Sequence, residues 1–316
     1  MKLVPAFFRL IRWPNLVFIV ITQVLFYYCI ILPAFGNVQP GGLPHFLDWN
    51  RFWLLSFSSV LIAAAGYIIN DYFDLNIDQV NKPDAIVIQK IIKRRWAIFW
   101  HFLLSLIGVM IAMYVSWKIG SWLVGPINLL CVFLLLFYST TFKKKFLIGN
   151  IIISLLTAWV VLVLYMSELD IARLRDPVYH HTITRVFKVA VLYAGFAFVI
   201  SLIREVIKDM EDMQGDERYG CRTMPIVWGM PATKVFAGVW LIVLILAVLV
   251  ILVYGMMQGW WLAAVYSVFL VIMPLTLLLS KLYSSVSQKD FHQVSTWIKI
   301  VMLTGILSML FFKFHI

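Results

Sequence analysis

Charge is what this sequence has least of. Only 13% of its 316 residues are Asp, Glu, Lys or Arg, against about 25% in an ordinary soluble domain. That shortage excludes a soluble globular chain, because the apolar runs between charges reach the roughly 20 residues that cross a bilayer as helix. The runs are continuous. A transmembrane β-barrel needs segments of about ten residues with alternating polarity, so that class is excluded too. Cysteine is almost absent. Cys29, Cys131 and Cys221 are odd in number and match no zinc spacing, which excludes a disulfide framework and leaves small apolar packing residues. Histidine is equally sparse. His45, His101, His292 and His315 are scattered, and the pair His180–His181 falls in a predicted external loop away from the carboxylates, so all six read as structural. No small-residue cleavage site closes the apolar run after "MKLVPAFFRLIRWPN", so that run reads as a retained first helix.

What the chain has in quantity is apolar side chains, 63% of all residues. Nine spans are predicted, at roughly 16–35, 52–70, 97–116, 121–140, 147–166, 186–207, 235–256, 260–280 and 297–314. No long linker or low-complexity segment divides them. The expectation is an all-α membrane protein, one domain over 1–316, with its transmembrane helices in a single bundle. Placing the N-terminus in the cytoplasm puts 19 of the 26 lysines and arginines on the cytoplasmic side and 7 outside, the bias that orients membrane proteins. The net charge of +11 is largely this bias and suits anionic lipid headgroups. No basic stripe with interleaved aromatics points to nucleic acid.

The acids are few but not scattered. Ten of the fifteen fall in two stretches on the cytoplasmic side, Asp71–Asp84 and Glu205–Glu217. The spacing repeats: Asp71, Asp74 and Asp78 stand at i, i+3, i+7, and so do Asp209, Asp212 and Asp216. On a helix each set projects from one face, where like charges destabilise unless something positive offsets them. Carboxylates with water and phosphate oxygens are the usual surroundings of magnesium. Two facing sets can hold two ions bridged by a diphosphate. Ionisable residues at the edge of apolar helices mark function by default.

Cations lie close in sequence. "FYSTTFKKKFLIGN" places Tyr138 at a helix end, five residues before Lys143, and Arg204 lies four residues before Lys208, which adjoins Asp209. Some of these neutralise phosphate oxygens; the rest are ordinary positive-inside residues. Magnesium and lysine gathered on a diphosphate leaving group fit ionisation of an allylic C–O bond, with charge stabilised on the departing oxygen. A site within a helical bundle keeps the allylic cation from water and offers aromatic faces to it. The 16% aromatic content is in large part interfacial belt.

"NDYFDLNID" (70–78) resembles the first signature of the UbiA-type intramembrane prenyltransferases, and "KDMEDMQGDERYGCRTMPIVWG" (208–229) the second. "RWPN" (12–15) and "YSTTFKKKFLIGN" (138–150) are similar to the opening of helix one and to the tyrosine–lysine segment after helix four. The resemblance implies magnesium-dependent transfer of a prenyl group from an isoprenyl diphosphate to a lipophilic acceptor, in a prokaryotic inner membrane with the active site facing the cytoplasm. It implies metal and diphosphate roles for Asn70, Asp71, Asp74 and Asp78 and for Asp209, Asp212 and Asp216. Lys143 matches a diphosphate-binding lysine, Tyr138 a tyrosine near the reacting carbon, and Arg204 and Lys208 basic positions beside the second signature. "VNKPDAIVI" departs from the pattern, with Lys82 where relatives carry arginine. The segment "KKKFLIGN" is most similar to the branch making archaeal-type digeranylgeranylglyceryl phosphate; an aromatic acceptor stays open. A hydroxyl acceptor needs a base, for which Glu205 or a spare aspartate is available.

Two other classes fit the residues less well. A phosphatidyl-transfer enzyme of the CDP-alcohol type needs a glycine-containing signature missing after Asp74. A cation-coupled transporter places its carboxylates near the midplane at broken helices, not at helix ends on one side. The topology predicts that cysteines introduced at Asn76 and Gln214 label with a membrane-impermeant maleimide from the cytoplasmic side only. Labelling from opposite sides overturns it.

Overall fold

In a computed structural model of the chain, residues 3–36, 47–169 and 177–314 are described. His45 and His315 lie outside them. Among the described residues there is no strand, only an isolated bridge between Ile88 and Ile92. The helices are α1 (Leu3–Leu10), α2 (Trp13–Phe26), α3 (Leu32–Gly36), α4 (Trp49–Asn81), α5 (Arg94–Ile119), α6 (Val124–Thr140), α7 (Ile148–Glu168), α8 (Pro177–Arg218), α9 (Met224–Met257), α10 (Trp261–Ser267), α11 (Met273–Ser284) and α12 (Gln288–Leu307).

Among the described residues, eight segments are long and apolar enough to cross a bilayer: Trp13–Gly36, Trp49–Asn81, Arg94–Ile119, Ile148–Glu168, Tyr179–Arg218, Met224–Met257, Trp261–Ser284 and Gln288–Lys313. The remaining expected span, 121–140, the fourth in chain order, is α6, an apolar helix of 17 residues. It starts late because Gly120, at φ 72°, caps α5 in the left-handed region and the chain turns before Val124. The expected span 186–207 is corrected most. Its helix begins at Pro177, so His180 and His181 sit within the first two helical turns and not in a loop.

Several spans are not plain α-helix. Tyr27–Ile31 and Val268–Ile272 are π-helical turns, each followed two residues later by a proline, Pro33 and Pro274. A proline removes an N–H and crowds the carbonyl four residues back. Widening the preceding turn lets the neighbouring carbonyls find donors again. In α9 the break is sharper: Gly229 takes φ 81°, ψ 161°, just before Pro231.

The described chain forms two compact units. The first holds residues 1–142 and 159–192. Its α4 and α5 pack antiparallel through small residues. Ser58 Oγ donates to the Gly108 carbonyl at 2.7 Å, and buried His101 bonds the Ala65 carbonyl at 3.0 Å, the structural role expected of that histidine. α6 turns back along α5, with Gly125 against Met113, and crosses α4 where Gly66 meets Leu135. On the same unit, Ala6 and Leu10 of α1 pack with Ile68, Leu75, Val87, Ile88 and Ile92. Glu168 is fully buried at the end of α7, where it accepts from the Leu47 N–H at 2.9 Å. The second unit holds residues 143–158 and 193–316. Its core joins α8, α9, α11 and α12 through Ile203, Ile207, Leu241, Leu278, Val294 and Ile298. Lys234 donates to the Ser285 carbonyl and so caps the end of α11.

All three cysteines are buried, and Asn76 and Gln214 are exposed. Two glycines separate packing from propensity. A Cβ at Gly108 would lie 2.9 Å from Ile62 Cγ1 and 3.3 Å from the Ser58 carbonyl oxygen. Gly108→Ala is expected to lower stability by about 1–3 kcal/mol through overpacking. Gly195 has nothing within 4 Å, so Gly195→Ala should be neutral or gain up to about 1 kcal/mol of helix propensity. Thermal unfolding in detergent checks both; equal shifts would show that α4–α5 packing is not tight.

Candidate active site

Both aspartate sets lie on helix, inside helices that outlast their apolar sequence. The predicted spans end at residues 70 and 207, and the helices continue to Asn81 and Arg218. Backbone bonding therefore fixes each set on one face, within about 60° of arc at 100° per residue. Asn70, Asp71, Asp74, Asp78 and Tyr138 belong to the first unit. Lys143, Arg204, Lys208, Asp209, Asp212 and Asp216 belong to the second.

In the first unit Asn70 Nδ2 donates to Asp74 Oδ2 at 2.7 Å, one turn along the helix. The Asn70 Oδ1 atom is buried with no hydrogen-bond partner. An acceptor buried this way carries a desolvation penalty unless a donor or cation comes to it. Asp71 is held from outside its helix. Arg12 Nη2 donates to Asp71 Oδ1 at 2.7 Å, and the guanidinium lies 5.4 Å from the Tyr67 ring centre. The reach depends on a backbone turn between α1 and α2, where Arg12 adopts φ 50°, ψ 53°. Sequence reasoning took "RWPN" only as the start of a helix and missed this pairing. Tyr138 stands one turn past Leu135, as Asn70 stands one turn past Gly66, on helices that run the same way.

In the second unit Arg204 Nη1 donates to Glu205 Oε1 at 2.8 Å, and Lys208 Nζ lies 3.9 Å from the other carboxylate oxygen. Glu205 therefore sits between two cations. The Arg204 Nε atom is buried without an acceptor. Asp209 accepts from Asn150 Nδ2 at 2.8 Å. Glu211 points away from this face, is buried, and meets His292 Nδ1 of α12 at 2.9 Å. That contact makes His292 structural, as expected. Past the helix, Gly220 at φ 71° turns the chain back, and Arg222 N–H donates to the Lys144 carbonyl at 2.8 Å. The lysine segment is thereby tied to the second aspartate helix. Burial, with Asp216 adding to it, pushes the Cys221 thiol up to about 11, so it stays protonated at neutral pH. Asn150 was missed in the sequence, although a lone amide opening an apolar helix is a signal: a buried polar group needs a partner.

The two sets offer carboxylate and amide oxygens with guanidinium and ammonium groups beside them. Among the described residues, no three Asp, Glu, His or Cys side chains gather into a complete metal cage.

A family model for the UbiA prenyltransferase family matches residues 41–303. Digeranylgeranylglyceryl phosphate synthase of Methanosphaera stadtmanae is 26% identical over 264 residues, 82% of this chain and 87% of that protein. The fold is shared with a solved structure from work on digeranylgeranylglyceryl phosphate synthase in membranes, at TM-score 0.60 and 23% identity over 98% of this chain and 99% of that one. It is also shared with a UbiA homologue from Archaeoglobus fulgidus bound to DMAPP and Mg2+, at TM-score 0.52 and 13% identity over 94% of this chain and 98% of that one. This chain belongs to the UbiA prenyltransferase family and is an integral-membrane prenyltransferase.

Proposed function

We propose that the protein transfers a prenyl group from an isoprenyl diphosphate to the hydroxyl of a prenylglycerol phosphate within the membrane, releasing diphosphate. The observation that carries the transfer is the repeated aspartate spacing on two helices that both run on past their apolar sequence. The acceptor rests on the relative named digeranylgeranylglyceryl phosphate synthase. The diphosphate substrate and magnesium find support in the A. fulgidus homologue, bound to DMAPP and Mg2+.

Magnesium fits the residues present. It keeps several waters and takes one or two carboxylates plus substrate phosphates, not a closed protein cage. The all-oxygen donor set and the orphaned Asn70 Oδ1 match that need. In this reading Asn70, Asp71, Asp74 and Asp78 hold one ion, and Asp209, Asp212 and Asp216 a second. When bound, magnesium neutralises charge developing on the leaving diphosphate.

The chain's own residues do the rest. Lys143, Arg204 and Lys208 bind phosphate oxygens, and Glu205 holds the last two in place. The allylic C1–O bond ionises, Tyr138 faces the cation with its ring, and apolar spans exclude water and hold the tail. The acceptor oxygen then bonds to C1, and its proton passes to a carboxylate, Glu205 or a spare aspartate. Each aspartate set works from the cytoplasmic side, in a prokaryotic inner membrane. A second reading, an aromatic acceptor, shares every residue named and differs only in the nucleophile.

Asp71→Asn and Asp212→Asn are each expected to lower turnover at least a hundredfold while leaving the protein folded, and EDTA should stop the wild type. Geranylgeranyl, farnesyl and octaprenyl diphosphates offered against glycerol-lipid and aromatic acceptors, with products read by mass, test the acceptor. Prenylation of aromatic acceptors alone establishes the second reading. Absence of magnesium-dependent diphosphate release rejects both, and wild-type activity in either mutant removes the metal assignment.

A further inference from the structure

We infer that Asn150 is a positioning residue that aims Asp209 at the cation without neutralising it. The inference rests on the reading of Asp209 as a metal ligand. Asn150 is 7% exposed in the first turn of α7, and its Nδ2 lies 2.8 Å from Asp209 Oδ2. A carboxylate only accepts, so the amide must turn its N–H group toward it. Among the described residues this is the one side-chain hydrogen bond Asp209 receives. One oxygen is thereby fixed and the other stays available.

A neutral donor differs in kind from the donor on Asp71. Arg12 brings a full positive charge to its aspartate, at 2.7 Å, and competes with a cation for it. Asn150 orients Asp209 and leaves its charge whole. Outer partners of metal-binding groups work in this way, and losing one commonly weakens metal binding about 10–100-fold. The position also serves the lysine segment. Asn150 ties α7 to α8 at Asp209, and the Arg222 N–H to Lys144 carbonyl bond ties the same segment just beyond the aspartates. Lys143 is the residue before Lys144, so it is anchored from both ends of the second aspartate set.

The same two helices supply the control. Thr157 Oγ1 and Ser201 Oγ lie 3.2 Å apart, two turns farther along α7. That contact is also a neutral hydrogen bond between α7 and α8, but it reaches no carboxylate. Mn2+ binding is to be measured by electron paramagnetic resonance on the full-length, detergent-purified protein without substrate, for wild type, Asn150→Ala, Thr157→Val, Asp209→Ala and the Asn150→Ala/Asp209→Ala double variant. Asn150→Ala should raise the Mn2+ Kd about tenfold and Thr157→Val should leave it unchanged. In the Asp209→Ala background, Asn150→Ala should add nothing, because the two act as one unit. Equal weakening by Thr157→Val shows a helix-packing effect and overturns the inference, as does an additive double variant. If Asp209→Ala itself leaves Mn2+ binding intact, the metal-ligand reading of Asp209 fails. If Asp209→Ala weakens binding and Asn150→Ala does not, only the positioning role fails. Should Asn150→Ala not fold, Asn150→Ser, which keeps a shorter polar group, takes its place with the same outcomes.

Discussion

Backbone hydrogen bonding carries α4 and α8 beyond the point where their sequences stop being apolar, and every carboxylate of the candidate site depends on that continuation. A loop would let the aspartates relax away from one another into water. A helix cannot do so: residues three and seven apart stay on one face. The repulsion among them is then a fixed property of the folded chain. Part of it is met from within, by Arg12 on Asp71 and by amides on Asp74 and Asp209. The buried oxygen of Asn70 has no such partner.

The two aspartate helices solve the same problem with different partners. In the first unit the donor to Asp71 is a guanidinium, delivered by a left-handed residue before α2. In the second the donor to Asp209 is a neutral amide at the start of α7, and Arg204 and Lys208 lie against Glu205. A cation beside a carboxylate lowers the field it presents, and a neutral donor does not. Asp71 and Asp209 stand at equivalent places in the repeat and are therefore not electrostatic equivalents. Glu211, in the middle of the second signature, shows the same selectivity by face: one step off the aspartate stripe, it serves the packing of α12.

Much of this was readable in advance because helical periodicity is a property of sequence alone. The repeated spacing and most of the spans follow from residue types at fixed intervals. Helix ends were not readable in the same way. Hydropathy falls at Asp71 and Asp209, whereas the hydrogen-bond ladder that defines the helix ignores side-chain polarity. The Arg12 turn was hidden because positive φ at a non-glycine residue leaves little trace in sequence. Asn150 was visible as a lone amide, but which of many carboxylates it meets depends on how α7 lies against α8.

The π-helical turns before Pro33 and Pro274 carry a consequence for comparing chains of this family. Such a turn takes in one residue more than the α-helix around it. Everything beyond it is turned by up to about 100°, one residue's share of the helix. Apolar stripes on either side of Tyr27–Ile31, or of Val268–Ile272, are thus out of phase along what reads as one continuous span. A relative lacking the proline can reach the same lipid-facing surface with one residue fewer. In a pairwise alignment the gap would fall inside a membrane helix, where insertions are least expected.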